Sequence, residues 1–487
     1  MIALKDILYK VTINAVVGST GVDVSNVDFD SRKIRKGDLF VAIKGTVADG
    51  HKFIDVAINN GATSIVCEEI PENLMDGITY VEVDNSSKAL AIIASNYYET
   101  PSENLRLVGV TGTNGKTTVA SLLYQLLKKA GYKVGLLSTV KIMVDNTEHK
   151  ATHTTPDSLT INRYLHEMNA VGVEFCFMEV SSHGIHQFRT EGLHFEGAIF
   201  TNLSHDHLDY HKTFAEYRDV KKKFFDELSP KAFALVNVDD KNGLVMLQNT
   251  KARKYTYALK EYADYKSQIL ENQFGGLLLK INDSEVWTRL IGNFNAYNVL
   301  AIYATAELLG LEKVEILRLI SDLESVSGRF QYVVTNEKIT AIVDYAHTPD
   351  ALKNVLETIN SIRTKNEELI TVVGCGGDRD KTKRPKMGHI ASALSTKVIF
   401  TSDNPRSENP ESILNDIEKG VEPQNYKKVL TISDRRQAIK TACQMAQPND
   451  IVLIAGKGHE TYQEIKGERF DFDDFKIVQE LLKQLQK

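Results

Sequence analysis

The chain has few cysteines and no long apolar run, and both absences narrow the class of protein. Its 487 residues include four cysteines, none spaced as a C-x-x-C pair, which argues against a zinc ribbon and favours a reducing compartment. No stretch approaches the ~18 consecutive apolar residues of a membrane-spanning helix. The N-terminal residues also lack the pattern of a signal peptide. We therefore expect a cytoplasmic protein.

Excess positive charge is also absent. Lysine and arginine total 58 against 64 aspartates and glutamates, which gives a formal net charge of −6. This balance provides no broad attraction to nucleic acids or anionic membranes, so we expect neither as a partner. Hydrophobic residues make up 42% and charged residues 25%, as in ordinary globular proteins that bury a sizeable core.

The length predicts about three domains, at roughly 100–200 residues each. A polar segment containing Pro101 separates the first domain from the second, and Ser327-Gly328-Arg329 lies at the end of the second. The predicted fold is α/β throughout, with a small N-terminal domain (1–99), a central P-loop ATPase-like domain (100–331) and a C-terminal Rossmann-like domain (332–487).

Apolar runs of strand length alternate with helical patterns in all three domains. Strands are predicted at 39–43, 64–67, 105–111, 173–180, 197–203, 232–238, 340–344, 369–374, 398–401 and 451–455. Helices are predicted at 89–98, 117–129 and 295–309. The alternation favours largely parallel sheets covered by helices, in which ligands gather beyond the carboxyl ends of the strands.

A glycine-rich loop follows the first strand of the central domain. It reads Gly112-Thr113-Asn114-Gly115-Lys116-Thr117-Thr118 and precedes a helix. Glycines let backbone N–H groups approach phosphate, Lys116 adds positive charge, and the Thr117 hydroxyl can bind Mg²⁺. The strict pattern G-x-x-x-x-G-K-[ST] is not met, because Val110 occupies the first glycine position. A glycine turn with a surface lysine is the alternative, but the strand before and the helix after favour triphosphate binding.

Two polar segments follow later strands of the same domain. Glu179 ends one strand, and residues 205–211 read His-Asp-His-Leu-Asp-Tyr-His. A carboxylate at this place commonly binds Mg²⁺, and histidines can ligate a second ion, although polar loop caps are the alternative. Three lysines, 221–223, then lie on a predicted helix, where a solvated basic face is the ordinary interpretation.

Four polar clusters follow predicted strands of the C-terminal domain, at 344–349, 376–380, 403–406 and 456–460. Arg379 and Arg406 can bind a carboxylate through paired N–H donors, while Asp403 or Glu460 can hold an ammonium group. Any single arginine is more often a partner in a surface ion pair. Together the clusters favour a zwitterionic small molecule.

These segments resemble those of the Mur ligases, ATP-dependent enzymes that add amino acids to the nucleotide precursor of peptidoglycan. The resemblance spans nearly the whole chain. It rests on TGTNGKTT (111–118), EVSSHG (179–184), SHDHLDYH (204–211), GNFNAYN (292–298), SGRF (327–330) and DYAHTPD (344–350). The segments GCGGDRD, DNPR and GKGHE are similar to those of the branch that extends UDP-N-acetylmuramoyl-L-alanyl-D-glutamate (UDP-MurNAc-dipeptide). DNPR is similar to the form specific for meso-2,6-diaminopimelate.

The resemblance implies a reaction in two steps. The D-glutamate carboxylate of the UDP-MurNAc-dipeptide attacks the γ-phosphate of ATP, and the amine of the amino acid then displaces phosphate from the acyl phosphate. The implied catalytic residues are Lys116, Glu179, His207 and Lys221. Mg²⁺ would be held by Thr117, Glu179, His207 and Lys221, with Lys221 converted by CO₂ to an anionic carbamate. This replaces the interpretation of Lys221 as a surface charge.

The resemblance also implies three sets of binding residues. ATP would contact Gly112, Thr113, Asn114, Gly115, Lys116, Thr117, Thr118, Asn295, Arg329 and Asp344. The UDP-MurNAc-dipeptide would contact Ser31, Thr154, Thr155, Ser181, Gln187 and Arg189. Diaminopimelate would contact Arg379, Asp403, Asn404, Pro405, Arg406, Gly456 and Glu460. We expect a monomer that uses these small molecules in cytoplasmic peptidoglycan synthesis, and so supports cell shape and division.

The choice of amino acid also has a physical reason. Diaminopimelate carries a distal carboxylate and ammonium, which match Arg406, Arg379 and Glu460, whereas lysine would leave the arginines without an anion. Lysine, or an analogue such as lanthionine, is nevertheless an alternative substrate. A folylpolyglutamate synthetase shares the central domain and is an alternative enzyme. A P-loop NTPase that acts as a switch or binds a partner is the alternative from another class.

Overall fold

The computed structural model describes residues 1–45, 48–204 and 210–487, which form three α/β units in succession. The N-terminal unit contains β1 (Ile2–Ala3), α1 (Leu4–Ile7), β2 (Ile13–Val17), β3 (Asp23–Val24), β4 (Val27–Asp28), β5 (Leu39–Val41), α2 (Ile54–Asn59), β6 (Ser64–Cys67), β7 (Thr79–Val83) and α3 (Ser86–Tyr97). Its main sheet has the order β2-β7-β6-β5-β4, parallel except for β2. The Asn85 side chain caps α3 by accepting from the Lys88 N–H at 2.8 Å.

The central unit is built on one long mixed sheet. Its strands are β8 (Arg106–Thr111), β9 (Val134–Leu137), β10 (Ile142–Val144), β11 (Thr147–His149), β12 (Phe175–Glu179), β13 (Gly197–Phe200), β14 (Phe233–Asn237), β15 (Arg253–Ala258), β16 (Tyr265–Gln273), β17 (Gly276–Ile281) and β18 (Ser284–Thr288). Its helices are α4 (Lys116–Lys129), α5 (Ser158–Ala170), α6 (Ser182–His186), α7 (Phe214–Asp226), α8 (Gly243–Met246), α9 (Asn293–Leu308) and α10 (Lys313–Ser321). The strand order is β11-β10-β9-β12-β8-β13-β14-β15-β16-β17-β18, parallel in the middle and antiparallel at both ends.

The middle strands are largely apolar and buried because helices cover both faces of the sheet. Residues Phe175–Glu179 and Phe233–Asn237 are buried throughout. Helix α4 presents Val119, Leu122 and Leu126 to this sheet at helical spacing, and each is fully buried. Burial of each such side chain contributes on the order of 1.5–3 kcal/mol, which fixes the glycine loop between β8 and α4.

The C-terminal unit is a doubly wound sheet. Its strands are β19 (Gln331–Val334), β20 (Thr340–Asp344), β21 (Leu369–Val373), β22 (Lys397–Phe400), β23 (Val429–Thr431), β24 (Ile451–Ala455), β25 (Tyr462–Ile465) and β26 (Glu468–Asp471). Its helices are α11 (Pro349–Ile362), α12 (Lys383–Leu394), α13 (Pro410–Glu418), α14 (Arg435–Met445) and α15 (Asp474–Gln484). The sheet order is β19-β20-β24-β21-β22-β23, and β25 and β26 form a separate hairpin.

The predicted fold class, three α/β domains, is confirmed. The predicted strands and helices all correspond to elements of the structure, with ends that differ by a few residues. β19 begins at Gln331, one residue before the predicted boundary at 332. The antiparallel extension β16–β18 was not predicted. Within the described parts of the chain, no helix is long and apolar enough to cross a membrane.

Candidate active site

A cavity of about 500 Å³ lies where the carboxyl edge of the central sheet faces the C-terminal unit. Its walls come from the glycine loop, the ends of β12 to β14, the start of α9 and the start of α11. The predicted nucleotide contacts that line it are Thr113, Asn114, Gly115, Lys116, Thr117, Thr118, Asn295, Arg329 and Asp344. A cavity of this size can hold a nucleotide.

The glycine loop has the backbone that close approach to phosphate requires. Gly112 and Gly115 have φ values of +146° and +89°, and a Cβ on Gly112 would lie 2.0 Å from the Thr201 Oγ1. Helix α4 begins at Lys116, so its N-terminal N–H groups lie at the cavity. The Lys116 ammonium donates to the carbonyls of Gly112 at 2.9 Å and Thr113 at 2.8 Å.

Hard oxygen atoms suited to Mg²⁺ converge beside this loop. Glu179 is 1% exposed, its Oε2 accepts from the Thr117 hydroxyl at 2.8 Å, and its Oε1 accepts from the Thr139 N–H at 2.7 Å. A carboxylate and a hydroxyl this close together can supply two oxygen ligands to one Mg²⁺, so the residues fit the ion that the resemblance implies. His207, the other predicted ligand, lies outside the described residues.

Lys221 does not lie on a solvated basic face. It is 1% exposed, and its ammonium donates to the Gly112 carbonyl at 2.9 Å and to the Thr111 hydroxyl at 3.4 Å. Its neighbours pair with carboxylates on the same helix, Lys222 with Asp226 at 2.6 Å and Lys223 with Glu227 at 3.4 Å. The three lysines therefore differ, and Lys221 alone of them contacts the glycine loop.

Arg329 joins the central and C-terminal units at the cavity. Its guanidinium donates to the Thr117 hydroxyl at 3.1 Å and lies 4.5 Å from the centre of the Tyr345 ring. Asp344 accepts from the Phe330 N–H at 2.7 Å. Burial raises the pKa of Asp344 to about 6, although the positive charge of Arg329 opposes that shift. Arg329 and Asp344, both predicted to contact ATP, thus lie at one wall of the cavity.

A second cavity, of about 870 Å³, lies between the N-terminal and central units. Ser31, Gln187 and Arg189 line it together with apolar side chains. The Arg189 guanidinium donates to the Gln187 Oε1 at 2.7 Å and to the Thr155 carbonyl at 2.5 Å.

Two threonines connect the second cavity to the first. Thr154 lines the first cavity. The Thr155 hydroxyl donates to the Glu179 carbonyl at 2.9 Å and lies 3.0 Å from the Ser181 Oγ. The predicted contacts of the UDP-MurNAc-dipeptide thus follow a path from the second cavity towards Glu179.

Most of the predicted amino-acid contacts meet at the carboxyl edge of the C-terminal sheet. The Asn404 carboxamide donates to the Glu460 Oε2 at 2.7 Å, and Arg406 donates to the Gly377 carbonyl at 2.8 Å. Asp403 and Asn404 are buried. The cluster adjoins the nucleotide cavity, because the ring of Tyr345, which lines that cavity, lies 5.0 Å from the tilted ring of His459, the neighbour of Glu460.

The other predicted contacts of diaminopimelate are two closely packed backbone positions, Gly456 and Pro405, and the exposed Arg379. A Cβ on Gly456, which has φ of +117°, would lie 2.6 Å from the Asp403 Oδ2, so the glycine allows a close approach. A Cβ on Gly377 would likewise lie 2.0 Å from the Pro405 carbonyl oxygen. Arg379 is exposed on the loop after β21 and makes no ion pair with any described residue. Among the described residues, no hydrogen bond joins Arg379 to Arg406 or Glu460, and its contact with diaminopimelate stays a prediction.

One charged residue of this cluster has no role in the sequence-based prediction. Lys457 is fully buried, and its ammonium lies 3.1 Å from the Glu460 Oε2. The only signal in the sequence is the position of this lysine between two glycines after a buried strand. That signal is equally typical of an exposed loop.

Fold and site together define an ATP-dependent ligase. Residues 23–98 match the Mur ligase family, catalytic domain, residues 110–306 the Mur ligase middle domain, and residues 328–458 the Mur ligase, glutamate ligase domain. The chain belongs to the Mur ligase family.

Relatives that match nearly the whole chain are similar to it in sequence. A UDP-N-acetylmuramoyl-L-alanyl-D-glutamate--2,6-diaminopimelate ligase of Cytophaga hutchinsonii is 54% identical over 99% of this chain and 100% of that protein. The ligase of the same name from Parabacteroides distasonis is 52% identical over 98% of each. A solved structure of a ligase with this name has a TM-score of 0.70 and 32% identity, over 100% of this chain and 99% of that one.

Proposed function

We propose that this ligase joins meso-2,6-diaminopimelate to UDP-N-acetylmuramoyl-L-alanyl-D-glutamate, with conversion of ATP to ADP and phosphate. The observation that carries the proposal is the cluster of Asn404, Arg406 and Glu460 beside the nucleotide cavity. Arg406 offers paired donors to a distal carboxylate, and Glu460 offers an acceptor to an ammonium group. The names of the two close relatives support the same substrates.

The two cavities and the cluster support one proposed location for each substrate. ATP would occupy the first cavity, with its phosphates at the glycine loop. The UDP-MurNAc-dipeptide would occupy the second cavity and reach the phosphates past Thr155 and Ser181. Its carboxylate would form an oxygen–phosphorus bond to the γ-phosphate as the bond to ADP breaks. The other amine of the diamino acid, as the free base, would then attack the acyl carbon, form the amide bond and release phosphate and a proton.

The charges around the loop suit phosphoryl transfer. Bound Mg²⁺ would supply charge neutralisation between the phosphate oxygens and would be held by Thr117, Glu179 and His207. The Lys116 ammonium would turn from the carbonyls of Gly112 and Thr113 to the phosphates. These two carbonyls belong to the same glycine loop, so the ammonium already lies where the phosphates would bind. Arg329 would add charge from the domain junction, because it already contacts Thr117.

We propose further that Lys221 carries a carbamate. Its amine would add to CO₂ with loss of one proton, which forms a nitrogen–carbon bond and an anionic group. The burial of Lys221 against Gly112 supports this, because the modified side chain would place two oxygens beside the loop where metal ligands are needed. We also propose that the protein acts as a monomer in the cytoplasm, without a nucleic-acid or membrane partner, and has domains at 1–99, 100–331 and 332–487.

The decisive experiment supplies the UDP-MurNAc-dipeptide and ATP with a panel of amino acids. The panel contains meso-diaminopimelate, lanthionine, L-lysine and L-glutamate, and ADP release is measured together with product mass. We expect ADP release only when both the dipeptide and a diamino acid are present, with diaminopimelate preferred over lysine.

Two outcomes would contradict the proposal. Turnover of a folate with glutamate, and none with the UDP-MurNAc-dipeptide, would indicate a folylpolyglutamate synthetase. ATP hydrolysis at the same rate with and without the amino acid would indicate an NTPase without ligase activity.

A further inference from the structure

Lys457 is a charged residue with no assigned role at the centre of the amino-acid cluster. It lies on the loop after β24 and is fully buried. Its ammonium donates to the Asn404 Oδ1 at 3.0 Å and to the Glu460 Oε2 at 3.1 Å, and it lies 5.4 Å from the centre of the Tyr462 ring. A lysine is rarely buried completely unless it is paired, so these contacts must offset a substantial desolvation cost.

The contacts of Lys457 fix the direction of the Asn404 carboxamide. The Asn404 Oδ1 accepts from Lys457 and from the Glu464 N–H at 2.9 Å, so this atom is the oxygen. The Asn404 Nδ2 consequently points at the Glu460 Oε2, to which it donates at 2.7 Å. Lys457 and Asn404 thus hold the same carboxylate oxygen from two sides.

This arrangement leaves the second oxygen of Glu460 available. The Glu460 side chain is 16% exposed, and its Oε1 accepts no hydrogen bond from any residue that the structure describes. An ammonium group of a ligand can donate to this oxygen without breaking an existing contact. The direction in which Oε1 points depends on the two bonds that hold Oε2.

Lys457 also sets the charge of the cluster. Burial alone would raise the pKa of Asp403, but Lys457, followed by Arg435, lowers it below its ordinary value, so Asp403 is ionised. The Arg435 charge is itself paired with Asp474 at 2.7 Å. Asp403 and Glu460 against Lys457 therefore leave one negative charge for the substrate's ammonium group, while Arg406 supplies the positive charge for its carboxylate.

We propose that Lys457 is a positioning residue for the amino-acid substrate, which orients Asn404 and one oxygen of Glu460 so that the other oxygen binds the substrate's ammonium group. The inference rests on the proposed function, since it assumes that a diamino acid occupies this cluster. It goes further by assigning the geometry and the charge of the site to a residue that does not contact the substrate.

The test is Lys457→Met, which keeps the length of the side chain and removes its charge. We expect the KM for meso-diaminopimelate to rise by about 10- to 100-fold, the loss that accompanies a misplaced charge-assisted hydrogen bond. The KM values for ATP and for the UDP-MurNAc-dipeptide should change by less than about threefold, because these sites are formed by other elements. If Lys457→Met does not fold, Lys457→Gln takes its place with a smaller expected rise, because its amide can donate to the same oxygens.

Lys397→Met is the matched control. Lys397 is the first residue of β22, so it lies at the amino ends of the strands, away from the carboxyl ends that carry the cluster. It pairs there with Glu368. The same substitution there also removes an ion pair from the C-terminal unit, but we expect wild-type KM values for all three substrates.

A second variant tests whether Lys457 acts through Glu460. Glu460→Gln should raise the same KM, and the double variant should raise it much less than the two separate effects combined predict. An unchanged KM in Lys457→Met, or an equal loss of affinity for all three substrates, would overturn the inference. If the wild-type enzyme does not use diaminopimelate, the proposed function fails instead, and the two failures are thus distinguishable.

Discussion

The buried ion pair between Arg435 and Asp474 ties together the loops that carry the amino-acid cluster. Both side chains are fully buried, and they form two hydrogen bonds, at 2.9 and 2.7 Å. Arg435 also donates to the Ala455 carbonyl at 3.1 Å, at the end of β24. Arg435→Met would therefore leave a buried carboxylate without its counter-ion, directly beneath the loop of Lys457.

The expected loss of stability follows from these contacts. Removal of one partner of a buried, doubly hydrogen-bonded pair costs about 3–5 kcal/mol, largely because the other charge stays buried. At about 1.4 kcal/mol for each factor of ten, that loss raises the population of the opened C-terminal sheet by roughly 10²- to 10⁴-fold. Replacing both residues, in Arg435→Met with Asp474→Leu, should recover most of the loss, because no charge is then left unpaired.

Native-state hydrogen exchange measures this opening unit by unit. Peptides that cover β21 and β24 should lose protection in Arg435→Met and regain most of it in the double variant. Peptides that cover β8 are the internal control and should keep wild-type protection. Less than about a tenfold change at β24, or a double variant less protected than the single one, would refute the assignment of stability to this pair.

Three further predictions concern the candidate site. Arg406→Ala should lose selectivity for diaminopimelate over lysine in competition assays, whereas Arg469→Ala, which removes an exposed partner of Glu464, should keep it; unchanged selectivity in Arg406→Ala would contradict its role. Lys221→Ala should lose activity that short carboxylic acids partly restore, and Lys223→Ala on the same helix should be active; full activity of untreated Lys221→Ala would argue against a carbamate. Because the pKa of Asp344 is raised to about 6, its contribution to stability is full below 3.8 and is lost as the pH rises through about 6. The unfolding midpoint of Asp344→Asn should consequently rise relative to wild type from about pH 4 to about pH 7, and a constant difference would exclude this titration.

Many of the parallel strands could be predicted because they are continuous apolar runs, whereas the parallel strand β15, which reads RKYTYA, was not predicted. Residues 107–111 are apolar or small and end at a glycine loop, and α4 then shows leucines at helical spacing. Strands β16–β18 were missed because only one face of each is buried. In β16, Tyr265 and Ser267 are buried while Lys266 and Gln268 are exposed, so the segment contains too few apolar residues to resemble the other strands.

The meeting of Thr117 with Glu179 could also be predicted. Glu179 ends β12 and Thr117 lies just after β8, and the carboxyl ends of these neighbouring parallel strands share one edge of the sheet. The contact of Arg329 with Thr117 spans 212 positions in the sequence, and that of Lys457 with Asn404 spans 53. No local pattern specifies such contacts, because they depend on how two separately folded units and two loops are placed. Only the family resemblance suggested Arg329, and nothing suggested Lys457.

The burial of Lys221 could have been predicted from the sequence by helical periodicity alone. Consecutive residues on a helix point about 100° apart, so three successive lysines cannot share one face. Tyr217, Phe224 and Phe225, at spacings of four, three and four residues from Lys221, are all buried. They mark the face of α7 that packs on the sheet, and Lys221 lies on that face. The run of charge indicated a solvated surface, whereas the aromatic residues on either side of it direct Lys221 at the glycine loop.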